Sequence, residues 1–388
     1  MINSTWRVDA MRQGPIVTCI IAILLTQLTP AAAQPAGGTV PFEMLSHLLL
    51  VKASINGSEE KYNFVVDTGG VAMIDKGLAG RLQLKEKGPM AKIDTLGLSG
   101  LAIEKVFCFT TFDFGQFDAL GTPIHGIIGS NLMERYRVTF DFKNHLIIFS
   151  GDTTALEPPD AGMLLRFENH PVNSAPMIDF QVCGKSLKGM IDTGQPYPVV
   201  IPLGSFGEYK DSCAADYIKS EGLMEEWPMT DPDHNYLARL ASFELGSVRL
   251  ERVICLFGEI PLPLSMPLIG NDFLSQFKMV IDYPSHQLLL TPYEDARFEH
   301  NCFSAGLRPD ISEGDRIIVK GVWEGSPADR AGIEVGDRVL SFDSREVTPA
   351  NLIDLIRLLE DEAAESLSIG ILHGDASREV RLDKTMLF

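Results

Sequence analysis

One short stretch occurs twice in this chain, and it constrains the possible fold more than any other feature. Phe64-Val65-Val66-Asp67-Thr68-Gly69-Gly70 and Gly189-Met190-Ile191-Asp192-Thr193-Gly194-Gln195 each carry an apolar run into an aspartate on a Thr-Gly turn. Such a pattern suits an ionisable side chain held at the end of a buried strand. A lone Asp-Thr-Gly says little, because all three are ordinary turn residues. These copies, however, belong to a longer repeat. The run from Ile127-Ile128-Gly129-Ser130-Asn131 to Asp141-Phe142 is matched without gaps by Leu268-Ile269-Gly270-Asn271-Asp272 to Asp282-Tyr283, at a constant offset of 270 − 129 = 141. The Asp-Thr-Gly copies differ by 192 − 67 = 125, so the second unit carries 141 − 125 = 16 more residues between its motifs. Insertions between matched elements map to loops. The chain therefore reads as two homologous lobes.

Both lobes read as mostly β. In the first, Leu48, Leu50, Ala53 and Ile55 alternate up to an Asn56-Gly57 turn and the run Tyr62–Val66, a hairpin signal. Ile74, Leu78, Leu82 and Leu84 give a short helical face, and Leu96–Phe112 resumes strand-like alternation. The second lobe repeats the order: Met177–Val182, a turn at Cys183-Gly184, the Asp192 strand end, a helix-like stretch from about Ala214 to Glu221, then Leu268-Ile269-Gly270. Gly184-Lys185-Ser186 is no phosphate loop, since the upstream glycine that loop requires is replaced by Asp179. Asp141 and Asp282 recur between apolar neighbours ahead of hairpin turns and read as structural, and His145 and His286 as surface residues.

Charge and cysteine usage narrow the function. A net charge of −19 over 388 residues repels phosphate, which argues against a nucleic-acid partner. Arg7 and Arg12 precede the apolar run Ile16–Leu28, and Ala31-Ala32-Ala33 follows, so residues 1–33 read as a signal peptide. Export follows, with an uncleaved N-terminal anchor as the alternative. No stable membrane span remains after cleavage. Cys108, Cys183, Cys213, Cys255 and Cys302 then remain, an odd number that leaves at least one thiol outside any intrachain pairing. Cys108 and Cys255 occupy equivalent places and read as buried strand positions. With no Cys-x-x-Cys and no His-Glu-x-x-His, the sequence gives no reason to expect a metal.

The paired Asp67-Thr68-Gly69 and Asp192-Thr193-Gly194, each followed by an apolar-apolar-Gly segment and a Phe-Asp or Ile-Asp strand, resemble the aspartic peptidases. The closer likeness is to bacterial retropepsin-like proteins that carry two such lobes in one chain. The resemblance implies a mainly β fold of two pepsin/retropepsin-like β-barrel lobes, here residues 34–155 and 156–297. It also implies that Asp67 and Asp192 form a catalytic dyad, that Thr68 and Thr193 hydrogen-bond across the lobe interface beside Gly69 and Gly194, and that Gly129 and Gly270 brace the active-site loops.

Two carboxyls suit amide hydrolysis by water, which needs one base and one acid. Adjacent carboxyls do not both ionise easily, so they share a proton and divide the roles, without cofactor or covalent intermediate. Active relatives commonly have Ser, Thr or Ala after Asp-Thr-Gly, whereas Gly70 and Gln195 stand here. Without a hydroxyl on the carboxylate, the dyad is expected to stay protonated to higher pH, with activity moved toward neutral. The first lobe has little chain for a substrate-covering flap. A cover would fall in the second lobe near Trp227 and Tyr236, where the alternative is a solvated loop with its aromatics tucked into the core.

Residues 298–388 differ in character. Gly325-Ser326-Pro327-Ala328, Ala331-Gly332-Ile333 and Gly336-Asp337-Arg338-Val339-Leu340 precede a helix that begins at Thr348-Pro349 and presents Leu352, Leu355, Ile356 and Leu359. This order resembles a PDZ domain of the bacterial exported-protease type, which implies capture of a peptide C-terminus by strand addition. By position Ser304, Ala305, Gly306 and Leu307 would form the carboxylate loop. The apolar end Met386-Leu387-Phe388 would suit such a groove, in cis or between molecules. The sequence therefore reads as an exported aspartic endopeptidase acting on peptide or protein substrates; the alternative is a non-catalytic peptide-binding protein with degenerate lobes.

Overall fold

The computed structural model describes residues 37–387 apart from 113, 153, 225–232, 261–263, 299–301 and 313. The expected signal segment 1–33, Trp227 and Phe388 lie outside the described residues. The described chain is mainly β, and no helix in it is long and apolar enough to cross a membrane.

The first motif strand is wholly inside the protein, and the second is buried over its last three residues, Gly189–Ile191. All six residues of Tyr62–Asp67 are buried, as its apolar run demands. On one side it pairs antiparallel with Leu48–Ile55, through a turn in which Asn56 and Gly57 both take positive φ (51° and 77°). That conformation is the one an Asn-Gly hairpin favours. On the other side it runs parallel to Gly126–Gly129, which itself pairs antiparallel with Met73–Ile74. Chain from much later in the unit is thus inserted beside the motif strand. The second unit repeats the device: Lys185–Ile191 pairs with Pro176–Val182 through a turn at Cys183-Gly184, and runs parallel to Leu268–Ile269, which pairs with Val199–Pro202.

The two units share a six-stranded sheet, three strands from each side of its centre. There Arg137–Asp141 pairs with Phe277–Asp282, and Thr139 faces Val280. Because 280 − 139 = 141 equals the repeat offset, equivalent residues face each other, and a local two-fold axis passes through that pair. The repeated aspartates are structural, as the sequence suggested. Asp282 accepts from Arg137 Nε and Nη2 at 3.1 and 2.7 Å, while Asp141 accepts from the Asn144 backbone N–H at 3.2 Å and the Tyr293 hydroxyl at 3.1 Å. His145 and His286 sit exposed at the hairpin turns.

Cys108 and Cys255 are buried among apolar neighbours. Cys183 and Cys213 form a disulfide, and Cys302 is half-buried.

One expected helix is a strand. Ala214–Gly222 pairs with Tyr236–Leu245 on one side and, at Ser220–Gly222, with Gly321–Trp323 on the other. Long-range pairing on both edges overrides the local pattern from which a helix was read. The same pairing joins the second unit and the C-terminal region in one continuous fourteen-stranded sheet. The C-terminal region keeps its own core, built around Val319, Phe342, Leu352, Leu355 and Ile369. Its helix Leu352–Glu360 follows a turn of 3₁₀ helix at Pro349–Asn351, where Thr348 and Asn351 make a reciprocal capping box.

Candidate active site

The two Asp-Thr-Gly turns meet on the local two-fold axis. The Thr68 N–H donates to Thr193 Oγ1 at 3.0 Å, and the Thr193 N–H returns the bond to Thr68 Oγ1 at 3.0 Å. Each hydroxyl then donates across the interface, Thr68 to the Ile191 carbonyl at 2.8 Å and Thr193 to the Val66 carbonyl at 3.0 Å. Both threonines are fully buried. A methyl-bearing substitute of the same shape could fill the space but could not donate or accept.

The cross-brace brings the carboxyls together. Asp67 Oδ1 accepts from the Gly69 N–H and Asp192 Oδ1 from the Gly194 N–H, each at 2.8 Å, and the two carboxyl groups lie close enough to shift each other's protonation. Each turn passes close beneath the partner's carboxyl. A Cβ on Gly69 would stand 2.4 Å from Asp192 Cγ, and one on Gly194 2.8 Å from Asp67 Cγ. Only glycine fits at either place.

Burial raises both aspartates above the ordinary carboxylate range. At Asp67 this desolvation is opposed by the hydrogen bonds from Asp192 and from the Gly69 and Gly70 amides. At Asp192 the neighbouring Asp67 charge adds to desolvation and pushes the group well up. Two adjacent carboxyls, Asp67 buried and Asp192 half-buried, hold one proton between them over a wide pH range. Gly70 supplies no hydroxyl to this pair, and a Cβ there would lie 2.5 Å from Asp67 Oδ2. Gln195 is buried, and its carbonyl accepts from the Asn271 N–H at 2.7 Å.

Gly129 and Gly270 stand where the inserted strands press on the turns. A Cβ on Gly129 would come within 2.4 Å of the Val71 carbonyl carbon, and one on Gly270 within 2.4 Å of the Gln195 oxygen. The residues after them were not anticipated. Ser130 Oγ donates to the Thr68 carbonyl and Asn271 Nδ2 to the Thr193 carbonyl, both at 2.6 Å, and 271 − 130 = 141 makes them equivalents. Asn173 Nδ2, fully buried, donates to the Gly69 carbonyl at 2.5 Å. The repeat offset alone could have pointed to Ser130 and Asn271. Nothing in the sequence marks Asn173, which reaches the site from a loop between strands.

Tyr236 is half-buried. Its ring stacks on Phe206, centroids 3.7 Å apart, and packs against the core shared by the two units. Its neighbour Leu237 instead joins the cluster that contains Met190 and Leu268.

In the C-terminal region, Ser304–Leu307 forms a tight loop. Gly306 takes φ 83° and donates its N–H to Ser304 Oγ at 3.0 Å, and a Cβ there would overlap Ser326. The loop leads into the strand Leu307–Ser312, which contacts the helix Leu352–Glu360. Residues 318–372 match the family model for the PDZ domain. This region is a PDZ domain. Among curated proteins, none matches the chain. The described part of the chain's end, up to Leu387, runs beside the strand that precedes the carboxylate loop. Thr385–Met386 pairs with Phe303–Ser304 ahead of the loop, and the Leu387 N–H donates to the Cys302 carbonyl at 2.9 Å. A PDZ domain is a peptide-recognition module.

Proposed function

We propose that this protein is an exported aspartic endopeptidase of the two-lobed retropepsin-like kind, with Asp67 and Asp192 as its dyad and the PDZ domain as its recognition module for peptide C-termini. The observation that carries the reading is the juxtaposition of two carboxyls, each set against the other unit's Thr-Gly turn on a local two-fold axis by reciprocal threonine bonds. A water between the carboxyls gives its proton to the ionised one while the other donates its proton to the carbonyl oxygen of the peptide bond. The water oxygen bonds to the carbonyl carbon. Collapse of that tetrahedral species breaks the C–N bond: the carboxyl that took the water proton passes it to the departing nitrogen, while the other takes a proton from a hydroxyl of the tetrahedral species, which restores the one-proton pair. Acid and base exchange roles in the course of one turnover, so neither aspartate has a fixed one. The disulfide Cys183–Cys213 agrees with an oxidising compartment and hence with export.

The reaction needs the pair to hold one proton. Because burial and the Asp67 charge raise Asp192, that proton is kept above the ordinary carboxylate range, and the alkaline limb of activity moves up with it. The expected result is a bell-shaped pH profile for kcat/KM that retains activity toward neutral pH. A profile with its sole maximum in strong acid overturns the assignment. The direct test is cleavage of a peptide library by the mature protein, with inhibition by a peptide carrying a tetrahedral hydroxyl in place of the scissile bond.

A second reading, a peptide-binding protein that does not cleave, draws on the bare Gly70 beside Asp67 and on Gln195 beside Asp192. Under it the same inhibitor binds and no library member is cut.

A further inference from the structure

Side chains alternate faces along a strand, so Val65 shares a face with Asp67, and Met190 shares one with Asp192. These faces carry two apolar clusters flanking the carboxyl pair, and the PDZ domain packs on both. Around Val65 lie Ile127, Phe114, Phe117 and Leu120, and Ile353 of the PDZ helix packs against them. A Cβ on Gly121 would stand 2.8 Å from Ile353 Cγ2, and Ser46 Oγ donates to Glu360 Oε1 at the end of the same helix at 3.3 Å. Around Met190 lie Leu268 and Leu256, joined by Trp323 of the PDZ domain, which is 3% exposed, and by Leu387. Backbone bonds secure the second contact. Ser220–Gly222 pairs with Gly321–Trp323, and the Leu223 N–H donates to the Lys320 carbonyl at 2.9 Å.

The first contact also bears on the peptide groove. The segment Phe114–Leu120 packs against both Leu307–Ser312 and Leu352–Glu360, the strand and helix that border the groove. Among the described residues the strand pairs on one edge only, with Arg316–Trp323, so its other edge is the one left for a ligand.

We propose that the PDZ domain is a latch across the apolar walls beside Asp67 and Asp192, and that an extended peptide with a free carboxyl terminus releases it by displacing Phe114–Leu120 from the groove. This rests on the peptidase reading for its consequence, which is that groove occupancy opens the walls to substrate. A groove open only part of the time binds its ligand more weakly by that fraction. Weakening the latch at Phe117, on the displaced segment, or at Trp323, in the second contact, therefore tightens binding without altering the strand Leu307–Ser312 or the helix Leu352–Glu360 that border the groove.

The test uses the full mature chain, Trp323→Ala and Phe117→Ala, with Trp323→Phe as the milder variant should Trp323→Ala not fold. The probe is a synthetic octapeptide ending in Ala-Val with a free carboxylate, and its C-terminal amide is the control. Expected are binding of the probe at least tenfold tighter in the variants and faster amide hydrogen exchange at 114–121 and 219–223 when the probe is added to the parent. The amide has no such effect. Cleavage of an unstructured protein is expected to rise at least tenfold with the probe or the variants. Equal affinity across folded variants together with unchanged exchange overturns the latch. If affinity and exchange respond but no chain cleaves anything, the peptidase reading fails and the latch stands. If the parent cleaves and neither probe nor variant alters rate or exchange, the latch fails and the peptidase reading stands.

Discussion

Asparagine in place of Asp67 or Asp192 is expected to lower peptide cleavage by roughly 10²–10⁴-fold, the range for loss of a positioned general acid or base. The two substitutions together are expected to cost little more than either one, because the carboxyls act as a unit and effects within a unit do not add. The amide keeps the shape of the carboxyl and can still accept from the Gly69 or Gly194 N–H, so the loss reports chemistry rather than collapse of the turn. A stability measurement sharpens this. Asp192 is raised in the folded state, so the folded protein binds its proton more tightly than the unfolded chain does. The native state is then favoured at low pH, and that advantage is lost as pH rises through the folded-state value. Asp192→Asn removes the group that must ionise. The variant is therefore expected to melt above the parent at pH 8 and close to it at about pH 4, while being inactive at both. Cleavage surviving in both single variants removes the dyad, and a variant less stable than the parent at pH 8 removes the buried, shared-proton description.

How far the sequence disclosed this site depended on whether a residue's partner lay inside the repeat. Asp67, Thr68, Gly69 and their counterparts were legible because the constraint on each is symmetric, and the second copy displays it again. The hairpin at Asn56-Gly57 was legible from two residues whose backbone preferences are local. Ala214–Gly222 was misread because its identity as a strand comes from two distant partners, one of them in the PDZ domain. Asn173 went unseen for a related reason, since its side chain serves a carbonyl 104 residues away from a loop with no periodic pattern. The PDZ domain itself announced its fold through its glycine and cap positions. That Trp323 and Ile353 would be spent on the neighbouring units could not be read from a domain motif, in which both look like ordinary apolar positions.

Valine in place of Thr193 is expected to cost about 2–6 kcal/mol of stability, by orphaning two buried backbone groups at about 1–3 kcal/mol each. Valine matches the shape of threonine, so no cavity opens and packing is preserved. What disappears is the acceptor for the Thr68 N–H and the donor to the Val66 carbonyl, both in a region from which water is excluded. Thr193→Ser retains the hydroxyl and is expected to recover most of the loss, which separates the hydrogen bonds from the methyl group. Thr68→Val should behave alike, because the local two-fold gives it the matching pair of bonds to Thr193 and Ile191. Urea unfolding of the four chains measures this directly. Cleavage should fall further than stability alone explains, since the threonines set the distance between carboxyls on separate units and a misplacement near 1 Å can cost on the order of 10²-fold. If Thr193→Val unfolds at the parent's urea midpoint, the reciprocal bonds are not what holds the two turns together. The shared six-stranded sheet, with Thr139 facing Val280 at its centre, would then have to carry the alignment alone.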